Sequence, residues 1–123
     1  MSRPEVILVV DDNDAGLMLF RAVLELDGFL VDTAASGEEL LIRLKARRPD
    51  MILMDVQLPG TDGLTLTRQL KSDPATSAIP VVALTAHAMA NDRVLALAAG
   101  CSDHITKPID TRTLANQIRE LLR

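Results

Sequence analysis

Tryptophan and tyrosine are absent from this chain, and only Phe20 and Phe29 supply aromatic rings. A surface that stacks unpaired bases needs several rings, so a platform for single-stranded nucleic acid is excluded. Basic charge is scarce too. The 13 Lys and Arg residues stand against 17 Asp and Glu, a formal net charge of −4, which argues against direct contact with a nucleic-acid backbone. The one cysteine, Cys101, has no intrachain partner, and a lone thiol is expected in a reducing, cytoplasmic compartment. No apolar run approaches the roughly 20 residues of a membrane-spanning helix, and Met1 to Glu5 lead into a strand pattern without the apolar core of a signal peptide. The expectation is a cytoplasmic protein that touches neither membrane nor nucleic acid.

What is present is ordinary globular material, 48% apolar and 24% charged over 123 residues, which suits one domain spanning residues 1–123. The chain is organised around Met51-Ile52-Leu53-Met54-Asp55. Four consecutive apolar residues are too few for a buried helix and too continuous for a half-exposed strand, so they predict a central strand of a parallel sheet. The run stops on a carboxylate. Asp is common at strand ends as a turn residue, but the carboxyl end of such a strand is also where open α/β sheets keep their ligands.

The other strands decide between those readings. Val6 to Val10 is a second continuous β-branched run, ending on Asp11-Asp12. Asn13 or Asp14 can cap a helix running to Asp27, closed by Gly28. Leu19, Phe20, Val23 and Leu24 are expected to face the sheet, leaving Met18, Ala22 and Leu26 on another face, either tolerated apolar surface or a docking face for a partner helix. Phe29 to Ala34 suits a strand nearer the edge. Ser36 and Glu39 form a capping box that opens a helix through Leu40, Leu41 and Leu44, and Lys45, Arg47 and Arg48 offset its dipole before Pro49 stops it. After Asp55 the loop Leu58-Pro59-Gly60-Thr61-Asp62-Gly63 must turn tightly, and a helix follows from about Leu64 to Ser72. Pro80 precedes the strand Val81 to Leu84, which ends on Thr85. A helix from Asn91 to Ala99 ends at Gly100, and a shorter strand from Ser102 to Thr106 ends on Lys107-Pro108. Asp110 is expected to cap the last helix, with Leu114, Ile118 and Leu121 inward.

Five strands alternating with five helices predict right-handed crossovers and a parallel sheet covered on both faces. In such a sheet the strand ends share one edge, so Asp11, Asp12, Asp55, Thr85 and Lys107 are expected to converge there. Crowded carboxylates repel unless a cation or a raised pKa relieves them. A hard divalent cation such as Mg2+, or Mn2+ or Ca2+ in its place, suits carboxylate oxygens completed by water and phosphate. The Lys107 ammonium and Thr85 hydroxyl suit the oxygens of an incoming phosphoryl group. Together they point to phosphorylation on aspartate.

On Val10-Asp11-Asp12, Leu53-Met54-Asp55, Leu58-Pro59-Gly60 with Gly63, Leu84-Thr85-Ala86 and Lys107-Pro108, the chain resembles a receiver domain of the two-component response-regulator family. The resemblance covers essentially the whole sequence. It implies a three-layer, flavodoxin-like (βα)5 fold with strand order 2-1-3-4-5 and Asp55 as phosphoacceptor. It further implies that Asp12, Asp55 and the Gln57 carbonyl ligate Mg2+, with Asp11 acting through water. Lys107, ahead of a cis Pro108, is implied to pair with the phosphoryl group, and Thr85 to report the modification to the face of the fourth helix, fifth strand and fifth helix, a face that can also dimerise. The implied partners are a histidine kinase or a histidine phosphotransfer protein, and a downstream protein target.

The chain departs from the family at His104, where a rotamer-switching Tyr or Phe is usual. His87 and Gln57 are expected to overlook the phosphoryl group and tune its lifetime. No DNA-binding segment follows the last helix, so the preferred form is a stand-alone regulator, with a module of a hybrid kinase as the variant. Two other readings stand beside it. A Mg2+-dependent phosphohydrolase for small molecules would also pass through an aspartyl phosphate, but such enzymes commonly place the nucleophile after the first strand and add a cap. A flavin site would need glycines in the first loop, which is acidic here.

Overall fold

The computed structural model describes residues 3–58, 60, 62–86 and 90–122. Strands β1 (Val6–Val10), β2 (Leu30–Ala34), β3 (Met51–Asp55), β4 (Val81–Thr85) and β5 (Asp103–Thr106) alternate with helices α1 (Asp14–Leu26), α2 (Gly37–Ala46), α3 (Gly63–Ser72), α4 (Ala90–Ala99) and α5 (Leu114–Leu122). All strand pairs are parallel, in the order β2-β1-β3-β4-β5. This is the flavodoxin-like order that the family resemblance implies, and the strands read from continuous apolar runs, β1, β3 and β4, are buried on both faces along their whole length.

Period-two alternation divides the core. Ile7, Val9, Met51, Leu53, Val82 and Leu84 pack beneath α1 and α5, against Leu17, Phe20, Leu24, Leu114 and Ile118. Their neighbours Leu8, Val10, Ile52, Met54, Val81 and Ala83 point the other way, onto Leu40 of α2, Leu66 and Leu70 of α3 and Ala96 of α4. Three layers result. No helix among the described residues is long and apolar enough to cross a membrane.

The caps follow their chemistry. The Asn13 side chain accepts from the Gly16 amide, Ser36 from Glu39 and Asp62 from Thr65, each satisfying an otherwise orphaned N–H in a first helical turn. Gly28 and Gly100 close α1 and α4 at positive φ. Arg47 and Arg48 at the basic end of α2 are structural, since Arg47 pairs with Asp32 at 2.9 Å and Arg48 donates to the Ala75 carbonyl at 2.8 Å.

Two expectations need correction. Leu19 does not face the sheet: it is 44% exposed, and Leu17 takes the inward place beside Phe20 and Leu24. Asp110 does not cap α5 directly. Its carboxylate accepts from the Arg112 amide and its carbonyl from the Leu114 amide, which builds a turn over residues 111–113 before the helix begins. Strand and helix limits otherwise fall within two residues of those expected.

The amino-terminal edge of the sheet is fastened by Asp50. Its Oδ2 accepts from the Val6 amide at 2.7 Å while its own amide donates to the Val6 carbonyl at 2.8 Å, joining β1 to β3 at their starts. Arg3 pairs with both carboxylate oxygens, and this pairing, then the Val6 amide, holds the Asp50 carboxyl below the usual carboxylate range. A depressed carboxyl pKa gives stability that is complete above the unfolded aspartate value and lost as pH falls through the folded one. Asp50→Ala is therefore expected to lower stability by about 1–3 kcal/mol at neutral pH, chiefly by orphaning the buried Val6 N–H. In urea titrations the deficit should shrink steadily below about pH 4.

Candidate functional site

The carboxyl ends of the strands bring the acidic residues together. Asp11 follows β1 directly and Asp55 ends β3, the adjacent strand, and both are buried, whereas Asp12 is exposed. One carboxylate oxygen from each of the three lies within 4.8 Å of the others. Lys107, just beyond β5, reaches across the sheet edge to set its Nζ 2.8 Å from Asp11 Oδ2 and 3.3 Å from Asp55 Oδ2. The Lys107-Pro108 peptide is cis.

Backbone amides hold the two buried carboxylates in orientation. The Asn13 amide donates to Asp11 Oδ1 and the Gln57 amide to Asp55 Oδ1, both at 3.0 Å. The Lys107 amide donates to the Thr85 carbonyl at 2.6 Å, which ties the β5 end to the β4 end. Thr85 is buried and borders a cavity of about 170 Å³ shared with Gln57, Ala86 and Asp92.

Burial pushes the Asp55 carboxyl above its usual range. The Gln57 amide works against that rise, the Asp11 charge adds to it, and Lys107 offsets part. Burial also works to lower the Lys107 pKa, but the hydrogen bond and charge of Asp11, with those of Asp55, outweigh it and carry the ammonium above its ordinary value. The arrangement is one cation between two buried anions, with a third carboxylate at the solvent edge.

This donor set fits a hard divalent cation. The three side chains offer only oxygen, and the exposed Asp12 leaves a side open for the waters that Mg2+ retains. The three carboxylates exceed the single ammonium that faces them, so a second positive charge is electrostatically favoured.

Not every expected residue joins the cluster. The Gln57 side chain is exposed, and its amide is the part that meets Asp55. His104 lies away from the rim. It borders a groove of about 210 Å³ against Gln117, Glu120 and Leu121 of α5, its Nδ1 buried without a hydrogen-bond partner among the described residues. His87, Pro59 and Thr61 lie outside the described residues.

Two roles escape sequence reasoning. The pairing of Lys107 with Asp11 joins residues 96 positions apart, and no local pattern announces it. Gly63 is placed so that a Cβ there would lie 2.0 Å from the Asp55 carbonyl oxygen, so only glycine lets α3 start this close beneath the end of β3. Its place in a Gly-containing loop was the available signal, but turn chemistry explained it equally well.

A family model, the response regulator receiver domain, matches residues 7–119. The chain belongs to this family. It is 38% identical over 119 residues to the polar-differentiation response regulator DivK of Brucella anthropi, covering 97% of each chain. It is 41% identical over 117 residues to the phosphate regulon transcriptional regulatory protein PhoB of Rhizobium meliloti, covering 95% of this chain but only 52% of PhoB. Among solved structures, a response regulator of Chloroflexus aurantiacus superposes with a TM-score of 0.91 at 34% identity, over 98% of both chains. The chain is a receiver domain of two-component signalling systems, and its acidic pocket agrees with a phosphoacceptor aspartate and a Mg2+ site.

The raised Asp55 pKa fixes the sign of a stability effect in this receiver domain. A carboxyl whose folded pKa is raised favours folding most at acid pH, below the unfolded value, and loses that advantage as pH rises through the folded value. At pH 7 it is held in its costly ionised form. Asp55→Asn is therefore expected to raise the thermal midpoint in metal-free buffer at pH 7, with the gain fading near pH 4, as scanning calorimetry at the two pH values can check.

Proposed function

We propose that Asp55 of this receiver domain accepts a phosphoryl group from a phosphohistidine on a partner protein. The observation that carries the reading is the ammonium of Lys107 lying between Asp11 and Asp55 at the buried end of the sheet. A carboxylate oxygen of Asp55 forms the new bond to phosphorus as the phosphorus–nitrogen bond of the donor histidine breaks. The imidazole leaves with the bonding pair and takes a proton from solvent. Lys107 and the Thr85 hydroxyl stabilise the transferred oxygens, and the Lys107 charge lets the anionic donor approach. Asp11, Asp12, Asp55 and the Gln57 carbonyl would hold Mg2+, with Mn2+ or Ca2+ as substitutes. When bound, that cation neutralises charge on the phosphoryl oxygens.

The signalling reading is favoured over a hydrolase for small phosphate esters by family membership and by the position of the acceptor after the third strand. It fits a cytoplasmic module that transfers a signal between proteins, as a stand-alone regulator or as part of a longer one. Phosphorylation of Asp55, reported by Thr85, would reach a downstream protein target through the α4, β5 and α5 face, which includes His104, and that face can also pair two phosphorylated copies. Incubation with phosphoramidate and Mg2+ should add one phosphoryl group, visible by intact mass. Asp55→Asn should abolish the label, and Lys107→Ala or Asp12→Asn should slow it by about 10²-fold or more. Labelling that persists in Asp55→Asn would overturn the assignment.

The partner's histidine needs a surface beside the rim. On α1, Met18 is 72% and Leu26 91% exposed, with Ala22 also exposed between them at helical spacing. Next to them an apolar hollow of about 350 Å³, lined by Leu19, Phe20, Pro108 and Ile109, opens directly onto Asp11 and Lys107. A histidine-bearing helix laid along α1 would bring its ring over the carboxyl rim. Met18→Asp should slow transfer from a phosphorylated partner by about tenfold or more while labelling by phosphoramidate stays unchanged. Equal loss with both donors would count against α1 as the docking face.

A further inference from the structure

We propose that the outer face of α2 joins two copies of this chain in an antiparallel, two-fold symmetric contact, independent of phosphorylation. Glu38, Leu41, Ile42 and Lys45 recur at the spacing that sets them in one row along a helix. All four are exposed, Leu41 by 53% and Ile42 by 63%. The row runs acid, apolar, apolar, base, an order that complements itself when reversed. Turned end for end about an axis between Leu41 and Ile42, it sets Glu38 against Lys45 twice and Leu41 against Ile42 twice. A closed pair requires this self-complementarity, because each surface must recognise its own copy.

The rest of α2 leaves this row available. Leu40 is its one buried residue among those described, and Leu44 is partly buried beside it, so the inward stripe is narrow. The other basic side chains are engaged within the chain: Arg43 with the Thr33 carbonyl, Arg47 with Asp32 and Arg48 with the Ala75 carbonyl. Glu38 and Lys45 make no ion pair or side-chain hydrogen bond among the described residues. Between α2 and α3, hollows of about 440 and 370 Å³ open on either side of Leu41, one at the Glu38 end and the other at the Lys45 end. They give the side chains of an opposing helix somewhere to settle.

A uniformly acidic or uniformly basic partner would match one end of the row and be repelled at the other. A second copy matches both. The stripe contains none of Asp11, Asp12, Asp55 or Lys107, so the contact does not depend on the state of the rim. A single helix face is a small interface, which places the expected dissociation constant in the range of roughly 10 μM to 1 mM.

Sedimentation equilibrium on the full chain over that range tests the proposal. The unmodified protein should show a monomer–dimer equilibrium, and Ile42→Asp should be monomeric throughout with an unchanged thermal midpoint. Glu38→Lys or Lys45→Glu alone sets like charges together on both sides of the axis and should weaken the dimer by about tenfold or more. The combined Glu38→Lys, Lys45→Glu variant is self-complementary again and should return to within about threefold of the unmodified protein. A protein that stays monomeric across the range overturns the proposal. So does a dimer that all four variants leave untouched, which would mean that another face associates.

Discussion

The contact on which the acidic rim depends is the one between the Lys107 ammonium and the carboxylates of Asp11 and Asp55. Two carboxylates buried side by side repel by roughly 4 kcal/mol at 4 Å in a medium of intermediate dielectric. A protonated lysine within hydrogen-bonding reach of both turns that repulsion into a bridge. The sheet order dictates how the bridge is built. Asp11 and Asp55 come from neighbouring strands, but β5 lies two strands from β3, a separation of about 10 Å. Only a long, flexible stem spans that distance from the strand end. The residue ending the intervening strand is Thr85, whose carbonyl accepts from the Lys107 amide and so ties the start of that stem to β4.

The rim can carry this charge because packing fixes the register of the sheet beneath it. Each strand of the central trio inserts side chains into both halves of the core, so a shift in register would eject apolar groups on two faces at once. Gly63 adds a second restraint by letting α3 begin against the carbonyl of Asp55 itself. The position of Asp55 is thereby set from below by packing and from the side by a helix start. Its oxygens are aimed by the Gln57 amide and by Lys107. A carboxylate held this firmly, in surroundings that resist its ionisation, suits the acceptor role proposed for it.

Most of this was legible in the sequence because polar residues interrupt apolar runs at informative places. Asp11, Asp55, Thr85 and Lys107 each close a strand, and parallel topology does the rest. What stayed illegible has a physical reason in each case. The phase of α1 could not be fixed while Leu17, Leu19, Phe20, Val23 and Leu24 were all apolar, since more than one stripe satisfied helical spacing; the sheet selects Leu17 over Leu19. Asp110 satisfies the chemistry of a cap, but nothing local distinguishes a helix start from a turn that precedes one. His104 could be placed on β5 but not in its groove against α5, because that groove depends on how α5 packs.

Large exposed apolar residues are distributed unevenly over the described helices. Met18, Leu19 and Leu26 lie on α1, Leu41 and Ile42 on α2, and Val94, Leu95 and Leu97 on α4, whereas α3 and α5 show none. The sheet separates them, since α1 packs on one face with α5 while α2 and α4 pack on the other with α3 between them. Stability does not call for this pattern, because outward apolar side chains gain nothing in a monomer. It suits the two docking faces proposed above, a donor helix along α1 and a second copy along α2. A donor seated along α1, as proposed, would not compete with a second copy on α2, because the sheet lies between the two helices. On those two proposals, phosphoryl transfer and self-association would use opposite faces of one molecule, and only the first would touch the acidic rim.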